Sequence, residues 1–215
     1  ISFLDHIKTS TRTLYILGDL FDFWFGGNIS LASRYQPVLD KLKELSDASV
    51  KIVYLEGNHD FFMGTFFTDT LKAHVFSGEA ELEVDGKKFY LAHGDMMNHE
   101  DWKHNLWKLF IHSVPIHILM KMLPVSKLLW IANKLSTTSR SVSAEKKKVD
   151  ENVLNMFIAE KQKNGAYAVI FAHTHQPLNE PHGSGIALNP GAFCDAGSYA
   201  IYEDGTFYLK EFSLP

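Results

Sequence analysis

Potential metal ligands occur at four points in this chain, each directly after a short apolar run. They offer carboxylate, amide and imidazole donors, and they are Asp19, Asn58, His93, His173 and His175. Oxygen and nitrogen donors without cysteine suit Mn²⁺, Fe²⁺ or Zn²⁺ in a catalytic site rather than a structural zinc. Five ligands exceed what one tetrahedral ion needs, whereas two bridged ions would use them all. Such a pair serves phosphoester hydrolysis, because the metals lower the pKa of a bridging water and neutralise phosphoryl charge.

Taken singly, each residue also has an ordinary structural interpretation. A lone histidine is more often a hydrogen-bonded structural residue than a ligand, Asp19 could cap a helix, and Asn58 could occupy a turn. His173 and His175 are spaced so that both imidazoles can reach one centre, yet such pairs also arise by chance. The combination of all four clusters therefore carries the metal-site hypothesis.

Four predicted strands would position these ligands. Each is an apolar run of strand length that stops abruptly at polar residues. The runs are Leu14–Leu17, Lys51–Leu55, Phe89–Ala92 and Ala168–Ala172. Residues 35–45 have apolar side chains at helical spacing, which predicts a βαβ unit across the first two strands. Because open α/β sheets bind ligands beyond the carboxyl ends of their strands, we expect the candidate ligands on one rim.

Two further segments are predicted to be β-hairpins. Asp85-Gly86 lies within residues 79–90 and Asp204-Gly205 within residues 198–212, and Asp-Gly is typical of the tight primed turn. A chain of 215 residues can bury a sizeable core. We therefore expect one α/β domain with an α+β layered arrangement over residues 1–215.

Composition excludes several classes of protein. The 21 basic and 25 acidic residues give a net charge of −4, so no global positive field favours nucleic acid as a partner. Cys194 is the single cysteine, which excludes an internal disulfide framework and fits a reducing compartment. We expect Cys194 to be a small buried residue.

The ligand-bearing motifs resemble, in order and spacing, four of the five sequence blocks of the calcineurin-like metallophosphoesterases. They are Gly-Asp-Leu-Phe-Asp at 18–22, Gly-Asn-His-Asp at 57–60, His-Gly-Asp at 93–95 and Ala-His-Thr-His at 172–175. The resemblance covers nearly the whole chain. It implies a β-sandwich flanked by helices, with two divalent ions at the strand ends, Mn²⁺ ahead of Fe²⁺ or Zn²⁺.

Carried onto these positions, the resemblance assigns each ligand to an ion. Asp19 would bridge the two metals, and His175 would bind the first. The second metal would be bound by Asn58, His93 and His173.

The resemblance also implies catalytic residues. His59 would face the phosphate, stabilise developing charge and protonate the leaving oxygen. Asp60 or Asp22 would orient its ring, although Asp22 could equally be a simple loop carboxylate.

The family's first block, a strand ending in Asp-x-His that binds the first metal, does not precede Asp19. Asp5-His6 has the wrong spacing, and Ile1 is an unusual first residue. We therefore expect this chain to lack an upstream strand and to be inactive without it, since its first metal site would keep only Asp19 and His175.

One branch of the family is especially similar, the UDP-2,3-diacylglucosamine diphosphatases of lipid A synthesis, which release UMP and an acylated sugar phosphate. The similarity lies in residues 18–24, in His-Gly-Asp at 93–95 and in an apolar insertion before the last motif. It implies an amphipathic nucleotide-lipid substrate. The implied substrate contacts are Asn58, His59, Asp101, Ser139, Ser143, Lys146 and His173.

Two departures keep other functions open. His59 and His104 stand where that branch has arginine and tyrosine, so a bidentate phosphate contact is not supplied at residue 59. The alternatives are a phosphomonoesterase or nucleotidase acting on a soluble substrate, and a catalytically impaired binding protein that keeps the fold.

Residues 102–144 form the predicted helical insertion. They contain no Asp or Glu but five Lys, one Arg and three Trp, and Pro115 and Pro124 interrupt the apolar helical pattern. One interpretation is a helical cap with solvated lysines. The other is a basic amphipathic surface that binds a membrane peripherally. In that interpretation the tryptophans would lie at the interface, and Leu119, Met120 and Met122 would line an acyl groove.

From these interpretations we expect a cytoplasmic protein, peripheral on the inner face of the inner membrane. We expect it to be a monomer or a weak homo-oligomer.

Overall fold

The computed structural model describes residues 1–26, 29–97, 106, 109–110, 113–124, 126–128, 130 and 149–213. The chain divides into two compact units. The first unit comprises Ile1–Ser77 with Asp101–Ser141, and the second comprises Gly78–Glu100 with Val142–Pro215. The single-domain organisation stays a prediction, and each unit is described by itself.

The first unit contains five strands among the residues described, β1 (Thr13–Ile16), β2 (Trp24–Phe25), β3 (Lys51–Leu55), β4 (Asp60–Phe61) and β5 (His74–Phe76). They form a parallel three-stranded sheet in the order β1-β3-β5 and a parallel pair, β2 with β4. Its helices are Ser2–Ile7, Ile29–Arg34, Gln36–Asp47 and Val114–Met122, with a π-helical turn at Phe66–Thr70. The predicted βαβ unit is confirmed, because Gln36–Asp47 connects the parallel neighbours β1 and β3.

The helix Gln36–Asp47 explains how this sheet is held. Its Leu39, Leu42 and Leu45 are buried at helical spacing and join one apolar cluster with Ile52 and Tyr54 of β3. Apolar burial of this kind is worth about 25 cal/mol per Å². This packing fixes β3, and with it the position of the polar residues that follow its carboxyl end.

The strands described in the second unit are β6 (Glu79–Val84), β7 (Lys87–Ala92), β8 (Ala168–Phe171), β9 (Leu178–His182), β10 (Gly185–Asn189), β11 (Ser198–Glu203) and β12 (Thr206–Glu211). Five of them form a mixed sheet in the order β6-β7-β8-β10-β9, in which β8 is parallel to both of its neighbours. The other two, β11 and β12, form a separate hairpin. The helices are Glu151–Lys163 and Phe193–Ala196.

Both predicted hairpins are confirmed, together with their turns. Asp85 and Gly86 have φ angles of 51° and 70°, and Asp204 and Gly205 have φ angles of 49° and 81°. A type I′ turn needs positive φ at both central residues, which Asp-Gly supplies at low steric cost.

The predicted strands are also confirmed, with two of them ending one residue early, at Ile16 and Phe171. Left-handed residues follow both ends, with φ of 89° at Gly18 and 63° at His173. Such a conformation cannot continue a strand, so the chain turns away at the points where the candidate ligands lie.

Only part of the insertion lies within the described residues. Val114–Met122 is helical with Pro115 in its first turn, where the missing N–H costs nothing, and it ends before Pro124. None of the helices described is long and apolar enough to cross a membrane.

Candidate metal centre

In the first unit, Asp19 lies in the loop after β1, beside the loop after β3. The backbone N–H of His59 donates to the Asp19 carboxylate at 2.9 Å, and Asp19 itself has a left-handed backbone with φ of 56°. A Cβ at Gly57 would overlap this carboxylate, so only glycine lets the two loops approach so closely. Asn58, half-buried, lies between these two contacts. The first unit thus places Asp19, Asn58 and His59 together.

Asp60 holds the two loops in place. Its carboxylate is fully buried and accepts hydrogen bonds from the backbone N–H groups of Asp19 at 2.9 Å, Leu20 at 2.7 Å and Gly57 at 2.9 Å, and from the Tyr54 hydroxyl. Burial, and next the charge of Asp19, raise the pKa of Asp60 to about 7, against the lowering effect of these hydrogen bonds.

These bonds correct one expectation about His59. Both oxygens of Asp60 are used by backbone donors and Tyr54, so Asp60 orients the Asp19 loop and not the His59 ring. Asp22 is exposed in the same loop as Asp19, and its role beside His59 stays a prediction.

Glu56 is a buried acid that the sequence analysis missed. Its carboxylate accepts from the Met63 backbone N–H at 3.1 Å and from the Ser77 hydroxyl at 2.7 Å. Its position directly after β3 was the available signal. Glu56 also borders a cavity of about 390 Å³ within the first unit. The cavity is lined by Gly26, Glu56, Phe62, Met63, Gly64, Thr65, Thr68, Val75 and His117.

In the second unit, the parallel neighbours β7 and β8 bring two imidazoles together. His93 follows β7 and is buried, and His173 follows β8. Their ring centroids are 5.2 Å apart, with an angle of 70° between the planes. The backbone N–H of Ala172 donates to the His93 carbonyl at 3.1 Å, which continues the strand pairing into the site. Two imidazoles at such a separation suit a shared divalent ion.

The loop that carries His173 and His175 has an unusual backbone. Both histidines are left-handed, with φ of 63° and 60°, a conformation that costs non-glycine residues about 1–3 kcal/mol each. Between them, the buried Thr174 accepts a hydrogen bond from the Asn189 side chain at 2.8 Å, and Asn189 also donates to the Ala172 carbonyl at 3.3 Å. Asn189 is therefore a supporting residue that the sequence analysis missed.

His175 contacts an acid on another element. Its Nδ1 is 3.0 Å from an oxygen of Asp195, in the short helix Phe193–Ala196. The neighbouring Cys194 is exposed, which makes the expectation of a buried cysteine wrong, because this one-turn helix directs Cys194 to solvent. The Cys194 sulfur is 3.5 Å from the other Asp195 oxygen.

The donor chemistry of each unit fits a divalent cation. Carboxylate and amide oxygens are adjacent in the first unit, and imidazoles converge in the second, all of them donors for Mn²⁺, Fe²⁺ and Zn²⁺. Four of the predicted substrate contacts, Asp101, Ser139, Ser143 and Lys146, lie outside the described residues, as do Trp102, His104 and Trp107.

The described insertion helix has one buried and several exposed apolar residues. Met120 is 7% exposed and packs with Phe23, Phe25 and Phe61, so Met120 is a core residue and not part of an acyl groove. The exposed set is Val114, Ile118, Leu119 and Met122.

Comparisons with known proteins give consistent results. The family profile described as calcineurin-like phosphoesterase matches residues 1–177. The chain is 30% identical over 177 residues to a UDP-2,3-diacylglucosamine hydrolase of Haemophilus influenzae, covering 82% of this chain and 74% of that protein. A protein of the same name from Neisseria meningitidis serogroup B is 31% identical over 170 residues, covering 77% and 69%.

One solved structure supports the fold assignment. It is reported as a novel archaeal phosphodiesterase and is similar with a TM-score of 0.51 at 15% identity, covering 97% of this chain and 88% of that one. The predicted fold class and the family resemblance are confirmed.

Proposed function

Because the chain belongs to the calcineurin-like phosphoesterase family, we propose that it is a metal-dependent hydrolase of UDP-2,3-diacylglucosamine. The reaction would cleave the pyrophosphate to UMP and 2,3-diacylglucosamine 1-phosphate. The observation that carries this proposal is the combination of the ligand motifs with relatives of about 30% identity that bear the name of that hydrolase.

Two divalent ions are the proposed cofactors, with Mn²⁺ ahead of Fe²⁺ and Zn²⁺. Asp19 would bridge them, His175 would bind the first, and Asn58, His93 and His173 would bind the second. When bound, the ions would supply Lewis acidity and neutralise phosphoryl charge. The contacts of Asp19 with the His59 N–H and the proximity of the His93 and His173 rings support this ligand set.

His59 is the proposed general acid. As water adds to phosphorus and the bond to the leaving oxygen breaks, the His59 imidazole would give its proton to that oxygen. Its backbone is held at both sides, since its N–H donates to Asp19 and its carbonyl accepts from Trp24 at 2.9 Å. This anchoring of the His59 backbone beside Asp19 supports the proposal, and Asp22 would orient the ring.

The proposal also includes a binding site for the acyl chains and peripheral binding to the membrane. The cavity of about 390 Å³ has Phe62, Met63 and Val75 among its lining residues, which suits an apolar ligand group. The exposed Leu119 and Met122 and the acid-free composition of residues 102–144 support peripheral binding to an anionic surface. We place the reaction at the cytoplasmic face of the inner membrane.

The test is an assay of UMP release from UDP-2,3-diacylglucosamine with Mn²⁺, using the protein with any residues encoded upstream of Ile1. A chelator should abolish the release. Uridine monophosphate and p-nitrophenyl phosphate are offered in separate reactions as soluble phosphomonoester substrates. Hydrolysis of these monoesters without release from the lipid would favour the soluble-substrate phosphatase, for which His59 in place of arginine is the specific observation.

A further inference from the structure

The contact between His175 and Asp195 indicates which ring nitrogen of His175 carries the hydrogen. Their Nδ1 and Oδ2 atoms are 3.0 Å apart. An ionised carboxylate only accepts hydrogen bonds, so Nδ1 must carry the hydrogen and donate it. In a neutral imidazole the lone pair then lies on Nε2, which becomes the nitrogen able to bind a metal.

The backbone around Asp195 fixes its position. The helix Phe193–Ala196 ends at Gly197, whose φ is 68° and whose N–H donates to the Phe193 carbonyl at 2.8 Å. The Phe212 N–H, just beyond β12, donates to the Gly197 carbonyl at 2.9 Å, and a Cβ at Gly197 would overlap the Phe212 backbone. Asp195 therefore lies on a short helix whose end is hydrogen-bonded to the segment just beyond β12.

The backbone around His175 is fixed independently. Asn189 binds the Thr174 side chain, and its own side-chain oxygen accepts from the Gly191 N–H at 2.9 Å. The left-handed residues on either side of Thr174 are thus stabilised by β10 and the turn that follows it. The contact between His175 and Asp195 joins two anchored segments.

We propose that Asp195 is a positioning residue for His175. It holds the imidazole as the Nδ1–H tautomer and keeps Nε2 available as the metal-binding nitrogen. The role of His175 as a ligand rests on the proposed function, whereas the tautomer does not. Carboxylates placed in this way behind ligating histidines typically change metal affinity by about 10–100-fold.

The neighbouring Cys194 allows a second interpretation, direct chelation of an ion, which an experiment can distinguish from the positioning role of Asp195. Ligand atoms of His175, Cys194 and Asp195 all lie within 4.8 Å of one another. If these three residues chelated an ion directly, Cys194 would matter as much as Asp195. In the positioning role, Cys194 has no part in metal binding.

The first experiment observes the tautomer in metal-free protein. Long-range ¹⁵N–¹H NMR would be recorded at about pH 8.5, well above the ordinary imidazole pKa of about 6.5, with His175→Gln identifying the signal. We expect the hydrogen on Nδ1 in the native protein and on Nε2 in Asp195→Ala. Asp195→Asn should keep the Nδ1–H form, because its amide oxygen accepts the same bond. Glu203→Ala removes an exposed charge of the same unit and should change nothing.

The second experiment measures Mn²⁺ affinity by calorimetry. Asp195→Ala should weaken binding by about 10–100-fold, Asp195→Asn should retain part of it, and Cys194→Ser should match the native protein. An unchanged tautomer or unchanged Mn²⁺ affinity in Asp195→Ala overturns the proposal, and equal losses in Cys194→Ser and Asp195→Ala replace it with direct chelation. Failure of the lipid substrate assay alone would overturn only the proposed function.

Discussion

The Asp60 carboxylate accepts a hydrogen bond from the backbone N–H of Asp19, a residue 41 positions earlier in the chain, at 2.9 Å. The same carboxylate binds the Gly57 N–H in the loop after β3. One buried acid therefore sets the spacing between the loops that carry Asp19 and Asn58.

The stability of the metal-free protein should fall between about pH 4 and pH 7. Burial, together with the charge of Asp19, raises the pKa of Asp60 to about 7 in the folded state, against about 3.8 when unfolded. In that window the folded state binds more protons than the unfolded state, so the free energy of unfolding falls as pH rises. Urea unfolding across this range should show the slope, and Asp60→Asn should flatten it. An equal slope in both proteins would contradict the assignment.

His93→Ala should remove bound metal and lower turnover by orders of magnitude. His93 is buried beside His173 and is a proposed ligand of the second ion, so its loss leaves that ion with fewer donors. Metal content by mass spectrometry and UMP release would be measured on the same samples. His74→Ala, which removes an exposed imidazole, serves as the control and should retain both.

His59→Ala should separate turnover from metal binding. A general acid is typically worth about 10²–10⁴ in rate, whereas His59 is proposed to touch the phosphate and not an ion. We expect turnover to fall in that range while Mn²⁺ content stays at the native value. Parallel loss of metal and activity would make His59 a ligand instead.

Thr68→Trp should obstruct the cavity of the first unit. Thr68 lines it, whereas Thr70, two residues further along the same π-helical turn, does not. If the cavity receives an acyl chain, Thr68→Trp should raise KM for long-chain substrate more than for a short-chain analogue. Thr70→Trp is the matched control. Equal KM values for the two variants at every chain length would exclude this cavity as the acyl site.

Met122→Glu should weaken binding to anionic phosphatidylglycerol vesicles. Met122 is 78% exposed on the insertion helix, and an acid there replaces an apolar contact with charge repulsion. Met156, 73% exposed on the helix Glu151–Lys163, provides the matched control Met156→Glu. Flotation at low and high salt would compare them. A native protein that stays with the soluble fraction at low salt would remove the membrane from the proposal.

Local patterns predicted most of the elements described. Strands ending at His93 and His173 and the Asp-Gly turns at 85–86 and 204–205 depend on neighbouring residues, so their chemistry is visible in short windows. The structure also brings Asp19 beside Asn58 and His93 beside His173, each pair on loops that follow parallel neighbouring strands.

Contacts between distant loops were beyond such patterns. Asp60 or Asp22 was expected to orient the His59 ring, but the Asp60 carboxylate accepts from the backbone N–H groups of Asp19 and Leu20, at the left-handed turn, and from that of Gly57. Asp195 looks like an ordinary exposed acid, and only the fold brings it to His175, 20 residues earlier. Met120 was misassigned because helical spacing alone does not say which side of the helix faces the core.

The close approach of Gly57 to Asp19 determines which substitutions residue 57 can accept. An alanine at residue 57 would meet the Asp19 carboxylate and backbone nitrogen before it met any part of the apolar core. A library scored for thermal resistance and the same library scored for catalysis should therefore rank substitutions at residue 57 differently. The second screen should penalise the position more than the first, because the added methyl group displaces a proposed ligand as well as the backbone nitrogen that Asp60 holds.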